Sequence, residues 1–90
     1  MYAISEIFLQ CSRPTYPYTK DSELPNPSIN VLNVICIHKY EDFGFDSRVV
    51  PTYTIEFEMI GRNIKRWHYP QTPEGLKERD SEYEKITRNA

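Results

Sequence analysis

Ninety residues, 39% hydrophobic and 27% charged, make one domain of a size at which a single core is only marginally sufficient. A formal charge of -2 and a pI near 5.6 exclude a global field that would draw the chain to nucleic acid or anionic lipid, so any anion site has to be local. The longest apolar run, Val34-Ile35-Cys36-Ile37, is too short to cross a bilayer. The first residues lack the basic start and small-residue cleavage site of a signal peptide, so an intracellular, cytoplasmic protein is expected.

In chain order, residues 2–11 read as a first strand, with Ile4 and Phe8 toward one side and Ile7 and Leu9 toward the other; so near the terminus, it needs a partner strand from the outset. Residues 12–28 hold Pro14, Pro17, Pro25 and Pro27. Each ring fixes its own backbone and pushes its predecessor toward extended geometry, so helix is excluded and a regular interior strand is disfavoured. A long loop is predicted, which either straps Tyr16, Tyr18 and Leu24 over a sheet face or offers them to a partner. Residues 29–40 are the most hydrophobic stretch. Val31, Ile35 and Ile37 on one side and Leu32, Val34 and Cys36 on the other predict a central strand covered on both faces. A turn follows at residues 42–47 around Gly44, and Val49 leads into the next strand, with Pro51 marking its beginning or a bulge on an edge.

From Tyr53 to Met59 the alternation is unbroken, with Tyr53, Ile55, Phe57 and Met59 to one side and Thr54, Glu56 and Glu58 to the other. A two-residue loop at Gly61-Arg62 would mix core and solvent across the hairpin. A three-residue loop, Gly61-Arg62-Asn63, with Asn63 in the left-handed region, sets Phe57 opposite Trp67 and Ile55 opposite Tyr69 inside, and Glu58 opposite Arg66 and Glu56 opposite His68 outside. Beyond Pro70, Thr72 is a helix N-cap, Pro73 suits the first helical position and Glu74 complements the positive end of a helix over residues 73–88. Its apolar stripe is Leu76, Tyr83 and Ile86, with Arg79 and Asp80 in the intervening turn, so it covers only part of a sheet face. The predicted fold is α+β: one domain, residues 1–90, with an antiparallel sheet of about four strands (β-β-β-β-α), a proline-rich loop at 12–28 and one C-terminal helix. The uncovered face calls for the proline loop or a second subunit, and a homodimer is expected.

Arg62, Lys65, Arg66 and His68, interleaved with Trp67 and Tyr69, are residue types that suit phosphate neutralisation and base stacking. The register turns both rings inward and gives Arg66 and His68 to glutamates, so cross-strand pairing is expected rather than nucleic-acid binding. Cys11 and Cys36 read as free, buried thiols. Cys36 and His38 share a strand face, and Cys11 and His68 could complete four metal ligands, but the usual short paired spacings are missing; no metal and no other cofactor is expected. There is no glycine-rich phosphate loop, nucleophile elbow or His-Glu-x-x-His, and Cys36 and His38 project in parallel rather than converge, so no enzymatic activity is expected. The acidic residues Glu41, Asp42, Asp46, Glu74, Glu78, Asp80, Glu82 and Glu84 form a solvated surface or a face for a basic partner.

Residues 55–86 carry a hairpin closing on Trp67-x-Tyr69 and then a charged helix, Glu78-Arg79-Asp80-x-x-Tyr83-x-x-Ile86. This layout resembles that of short bacteriophage and mobile-element accessory proteins. The chain departs from it in placing Glu82 directly before Tyr83 and in carrying the proline loop. The resemblance implies a phage-encoded protein of the host-takeover or anti-defence kind and no particular activity; the function expected of the chain is a small non-catalytic inhibitor of a host protein that acts by protein–protein contact. Tyr16, Tyr18 and Arg62 are the expected contacts, since tyrosine and arginine concentrate binding energy at interfaces. The alternative is a dimer that sequesters a small anionic ligand, such as a nucleotide signal, with Arg62, Lys65 and Arg66.

Overall fold

The computed structural model describes residues 8–44 and 46–88, so the expectation of strand at residues 2–7 lies outside the described part. Strand β6 (Thr52–Met59) occupies the centre of a three-stranded antiparallel sheet. Its neighbours are β5 (Val34–Asp42) and β7 (Asn63–Pro70), in the order β5-β6-β7. With short pairs β1 (Phe8–Leu9) with β4 (Ile29–Asn30) and β2 (Thr15–Pro17) with β3 (Glu23–Pro25), and one helix α1 (Pro73–Arg88), the fold is α+β as predicted.

The β6–β7 hairpin keeps the predicted faces but slides by one pair. Ile55 lies opposite Trp67, Tyr53 opposite Tyr69, Glu56 opposite Arg66, Thr54 opposite His68 and Glu58 opposite Ile64. The loop is three residues long, but it is Ile60-Gly61-Arg62, between the paired Met59 and Asn63. Positive φ falls on Gly61 (83°) and Arg62 (62°) and not on Asn63, because glycine takes that region without steric cost and Asn63 is already the first extended residue of β7. Phe57 and Trp67, now diagonal neighbours, still meet edge to face with ring centroids 4.8 Å apart. Ile29, Ile55, Phe57, Met59, Trp67 and Tyr69 form the buried core on this inner face, and Tyr83 and Ile86 of α1 pack against it.

The helix starts as its sequence predicts: Gly75 N donates to Thr72 Oγ1 (3.0 Å) and Leu76 N to Thr72 O (2.9 Å). Its contact is broader than the apolar stripe. Arg79, only 6% exposed, donates to Tyr40 O (3.1 Å) and Asp80 Oδ1 (2.7 Å) and lies over the Tyr53 ring, so a guanidinium fills the gap in the stripe.

Residues 29–40 do not form one central strand. Ile29 and Asn30 pair with β1, Val31–Asn33 make a 3-10 turn that Asn30 Oδ1 caps at Leu32 N (3.0 Å), and Val34 opens β5, an edge strand whose only partner among the described residues is β6. A bulge between Val34 and Cys36 breaks the alternation and leaves Ile35 67% exposed. The second covering that this stretch was expected to receive goes to β7 instead. There the proline segment folds as a small ribbon, Tyr16 opposite Leu24, with Pro17 and Pro25 at its ends, where missing amides cost least. Asn26 then closes the outer edge of β7 by imitating a strand residue. Its Nδ2 donates to His68 O (3.1 Å) and its Oδ1 accepts from His68 N (2.9 Å), while Pro27 O receives Trp67 Nε1 (2.6 Å). Tyr16 and Asn26 thus strap the segment to the sheet, whereas β3 and Leu24, expected to lie over a sheet face, stay exposed.

Candidate functional site

Three surface features are built on this frame. The first is a cup of about 350 Å³ on the outer face, where the strap meets the sheet, lined by Tyr16, Tyr18, Tyr40, Asp42, Arg66 and His68 among others. Outward-pointing residues of β5, β6 and β7 supply its floor. Arg66 Nε donates to Glu56 Oε1 (3.0 Å) and to Tyr40 OH (2.9 Å), so the guanidinium is held by a carboxylate and a phenol before any ligand arrives. His68 stacks on Tyr16 with centroids 4.4 Å apart, and its Nδ1 shares hydrogen bonds with Thr52 Oγ1 (2.9 Å) and Thr54 Oγ1 (3.2 Å).

Burial holds the His68 imidazole below its ordinary value of 6.5, outweighing the opposing pull of Asp42. The folded protein therefore takes up this proton less readily than the unfolded chain. Stability from this group is complete above pH 6.5 and declines as pH falls from there through the lower folded value, because the unfolded state binds more protons in that window. Urea midpoints are expected to drop between pH 7 and pH 5, and His68→Gln should flatten that slope relative to the wild type. An identical slope in the variant would remove His68 from the explanation.

The second feature is a cluster on the same outer face near the other end of β5. Cys36 is paired across the strands with Glu58, and His38 follows on the same side, with His38 Nε2 3.5 Å from Glu58 Oε1. The ligand atoms of Cys36, His38 and Glu58 all lie within 4.8 Å of one another. Among the described residues, no hydrogen bond joins the Cys36 thiol to His38, so a nucleophile and base are not engaged. The other thiol, Cys11, donates to Tyr69 OH (3.2 Å), which in turn donates to Glu82 Oε1 (3.2 Å). Burial pushes the Cys11 thiol up, away from the nucleophilic thiolate form. Both cysteines are free.

The third is an apolar end. Val31, Val34, Ile35, Ile37, Leu9 and Ile86 line a cleft of about 690 Å³ beside α1. Ile60 N donates to Asn33 O (2.8 Å), which ties the hairpin loop to the 3-10 turn and brings Leu32 (57% exposed) and Ile60 (58% exposed) to this same end.

The predicted contact residues do not share one surface. Tyr16 is 8% exposed, because the strap folds it onto His68, and so it has little area to give a partner. Tyr18 is half-buried and lines the cup, while Arg62 is exposed in the hairpin loop, at the opposite end of β6. The three cations of the alternative ligand site also diverge. Lys65 lies opposite Phe57 on the inner side, Arg66 opposite Glu56 on the outer side, and Arg62 precedes the strand, as alternation along β7 requires. Of the residues that carry the resemblance, Trp67, Tyr69 and Arg79 are buried, Tyr83 and Ile86 pack on the core, and Glu78 holds Arg13 through two bonds of 2.8 and 2.9 Å. Hairpin-to-helix packing therefore uses them. The acidic face shrinks likewise: Asp80 meets Arg79 and Lys39, Glu82 accepts from Ser12 N, and Glu84 meets Arg88. Glu58 was expected only as the cross-strand partner of Arg66, and Asn26 was not singled out; the register and the path of the strap give them these roles.

Compared with known proteins, the chain matches no family model, no curated protein and no solved structure. No helix among the described residues is long and apolar enough to cross a membrane.

Proposed function

We propose that the chain is a small non-catalytic binding protein that works as a homodimer joined through its apolar end. The observation that carries this is the leftover apolar surface: among the described residues, seven hydrophobic ones are buried, whereas eight large ones, Leu32, Ile35, Ile60 and Ile64 among them, stand exposed. Leu24 and Phe43 lie on the strap side, but the part gathered at the end of the 3-10 turn and hairpin loop is costly to leave in water and is typical of an interface. A second copy is the simplest occupant. An apolar end needs no complementary charge to meet its own image in an isologous contact, and a chain of this size gains most from a doubled core. In the dimer the strap side faces outward, with Tyr18 and Tyr40 at the cup as contacts for the target. That the target is a host protein of a phage or mobile element rests on the resemblance of residues 55–86, and inhibition by being bound is the action a non-catalytic binder would have. The alternative, a small anion in the cup, has one guanidinium to use, and Glu56 already occupies it.

Light scattering on the eluting protein at micromolar concentration is expected to give twice the chain mass of 10.7 kDa. Ile35→Asp should give the monomer mass with unchanged far-ultraviolet circular dichroism, because the side chain is exposed within the chain. A wild-type monomer would overturn the dimer. For the target, a polypeptide retained stoichiometrically from host lysate by the wild type and lost with Tyr18→Asp supports inhibition by contact; heat-released nucleotide with no polypeptide supports the alternative.

A further inference from the structure

We infer that Cys36, His38 and Glu58 form a site for a late first-row divalent cation, with zinc the natural occupant. Three different donors from two adjacent strands converge here: a thiol, an imidazole nitrogen and a carboxylate. Soft sulfur with nitrogen and one oxygen selects zinc or its neighbours over magnesium and calcium, which take oxygen alone. The spacing suits an ion better than it suits a hydrogen-bonded triad. Around tetrahedral zinc, ligand atoms sit about 3.3–3.8 Å from one another, as bond lengths of about 2.0–2.3 Å require. His38 Nε2 and Glu58 Oε1 already stand 3.5 Å apart. The three atoms lie within 4.8 Å of each other, and the side chains of His38 and Glu58 are about half exposed, so small rotations close the set without moving the backbone.

The slide of the hairpin register makes this possible. With Arg66 opposite Glu56, Glu58 faces Ile64 and keeps its carboxylate for β5. Thiolate and carboxylate together neutralise the dication, so the loaded site is electrically neutral where the empty one is anionic, and the half-exposed His38 and Glu58 side chains give the ion a path in. Loading converts the Cys36 thiol to thiolate and releases one proton. Each chain supplies all three donors, so the site needs no second copy, although Cys36 also borders the apolar cleft.

The test is a titration of tag-free, reduced protein with cobalt(II), followed by zinc. One equivalent per chain is expected, with a sulfur-to-cobalt charge-transfer band in the near ultraviolet, tetrahedral bands in the visible, release of about one proton per ion near neutral pH, and displacement by zinc. Cys36→Ser should abolish the charge-transfer band. His38→Gln and Glu58→Gln should each weaken binding by about tenfold or more, since even partners outside the coordination sphere shift affinity that much. Cys11→Ser should change nothing. The exposed position of His38 keeps that variant folded even if Cys36→Ser disturbs the strand. The inference is overturned by a wild type without the charge-transfer band, by its loss with Cys11→Ser, by a stoichiometry of half an ion per chain, or by unchanged affinity in His38→Gln.

Discussion

Gly75→Ala is expected to destabilise the fold by about 1–3 kcal/mol, although replacing a helical glycine with alanine ordinarily gains up to about 1 kcal/mol. A β-carbon at this position would stand 1.9 Å from Pro70 O and 2.9 Å from Pro70 C. Neither atom is the end of a flexible side chain. Pro70 is paired with Thr52 at the end of the hairpin, and its carbonyl accepts from Thr72 N (2.9 Å), so the first turn of α1 would have to lift off β7 and take the N-cap with it. Urea unfolding followed by the fluorescence of the single tryptophan, Trp67, reads the loss directly. A variant as stable as the wild type would mean that the helix does not sit this closely on the strand.

Asn26→Ala should cost about 2–4 kcal/mol, because one side chain serves several backbone groups and each buried orphan costs about 1–3 kcal/mol where water does not replace the partner. Removing it strands His68 N and His68 O on the edge of β7, and Arg13 O, which accepts from Asn26 Nδ2 at 2.9 Å. Asn26→Asp sharpens the point. The carboxylate keeps the acceptor for His68 N but turns a negative oxygen toward two carbonyls, so the loss should be at least as large at neutral pH. It should shrink on acidification, as protonation restores a donor. That trend runs opposite to the one expected from His68, so the two are separable in a single pH series. An Asn26→Ala protein within 0.5 kcal/mol or so of the wild type, the usual range for surface substitutions, would show the strap to be dispensable.

What could be read from the residues followed from how local the cause is. Alternation from Tyr53 to Met59 decides which side chains face the core, and Thr72-Pro73 starts the helix, because both depend on neighbours in sequence. The register needed the loop to be placed to the residue. Gly61, with Arg62, rather than Asn63, took the positive φ, and the slide by one pair changed every cross-strand partner while leaving both faces intact. Residues 29–40 looked central because apolar groups lie on both sides of the run. That pattern cannot distinguish a strand covered on both faces from an edge strand that leaves apolar groups exposed, and Ile35 is exposed on an edge strand. Asn26 reads as an ordinary turn residue until the strap is seen to lay it on the edge of β7, and Glu58 acquires Cys36 and His38 as neighbours only through the pairing of two strands.

Burial of the apolar end by a second copy is tested most directly by amide hydrogen exchange, with the same protein compared at concentrations that favour monomer and dimer. Slower exchange at high concentration, confined to residues 31–37 and 60–64, is the predicted result. Exchange that does not change with concentration, or protection that appears around the cup or along α1 instead, would contradict it.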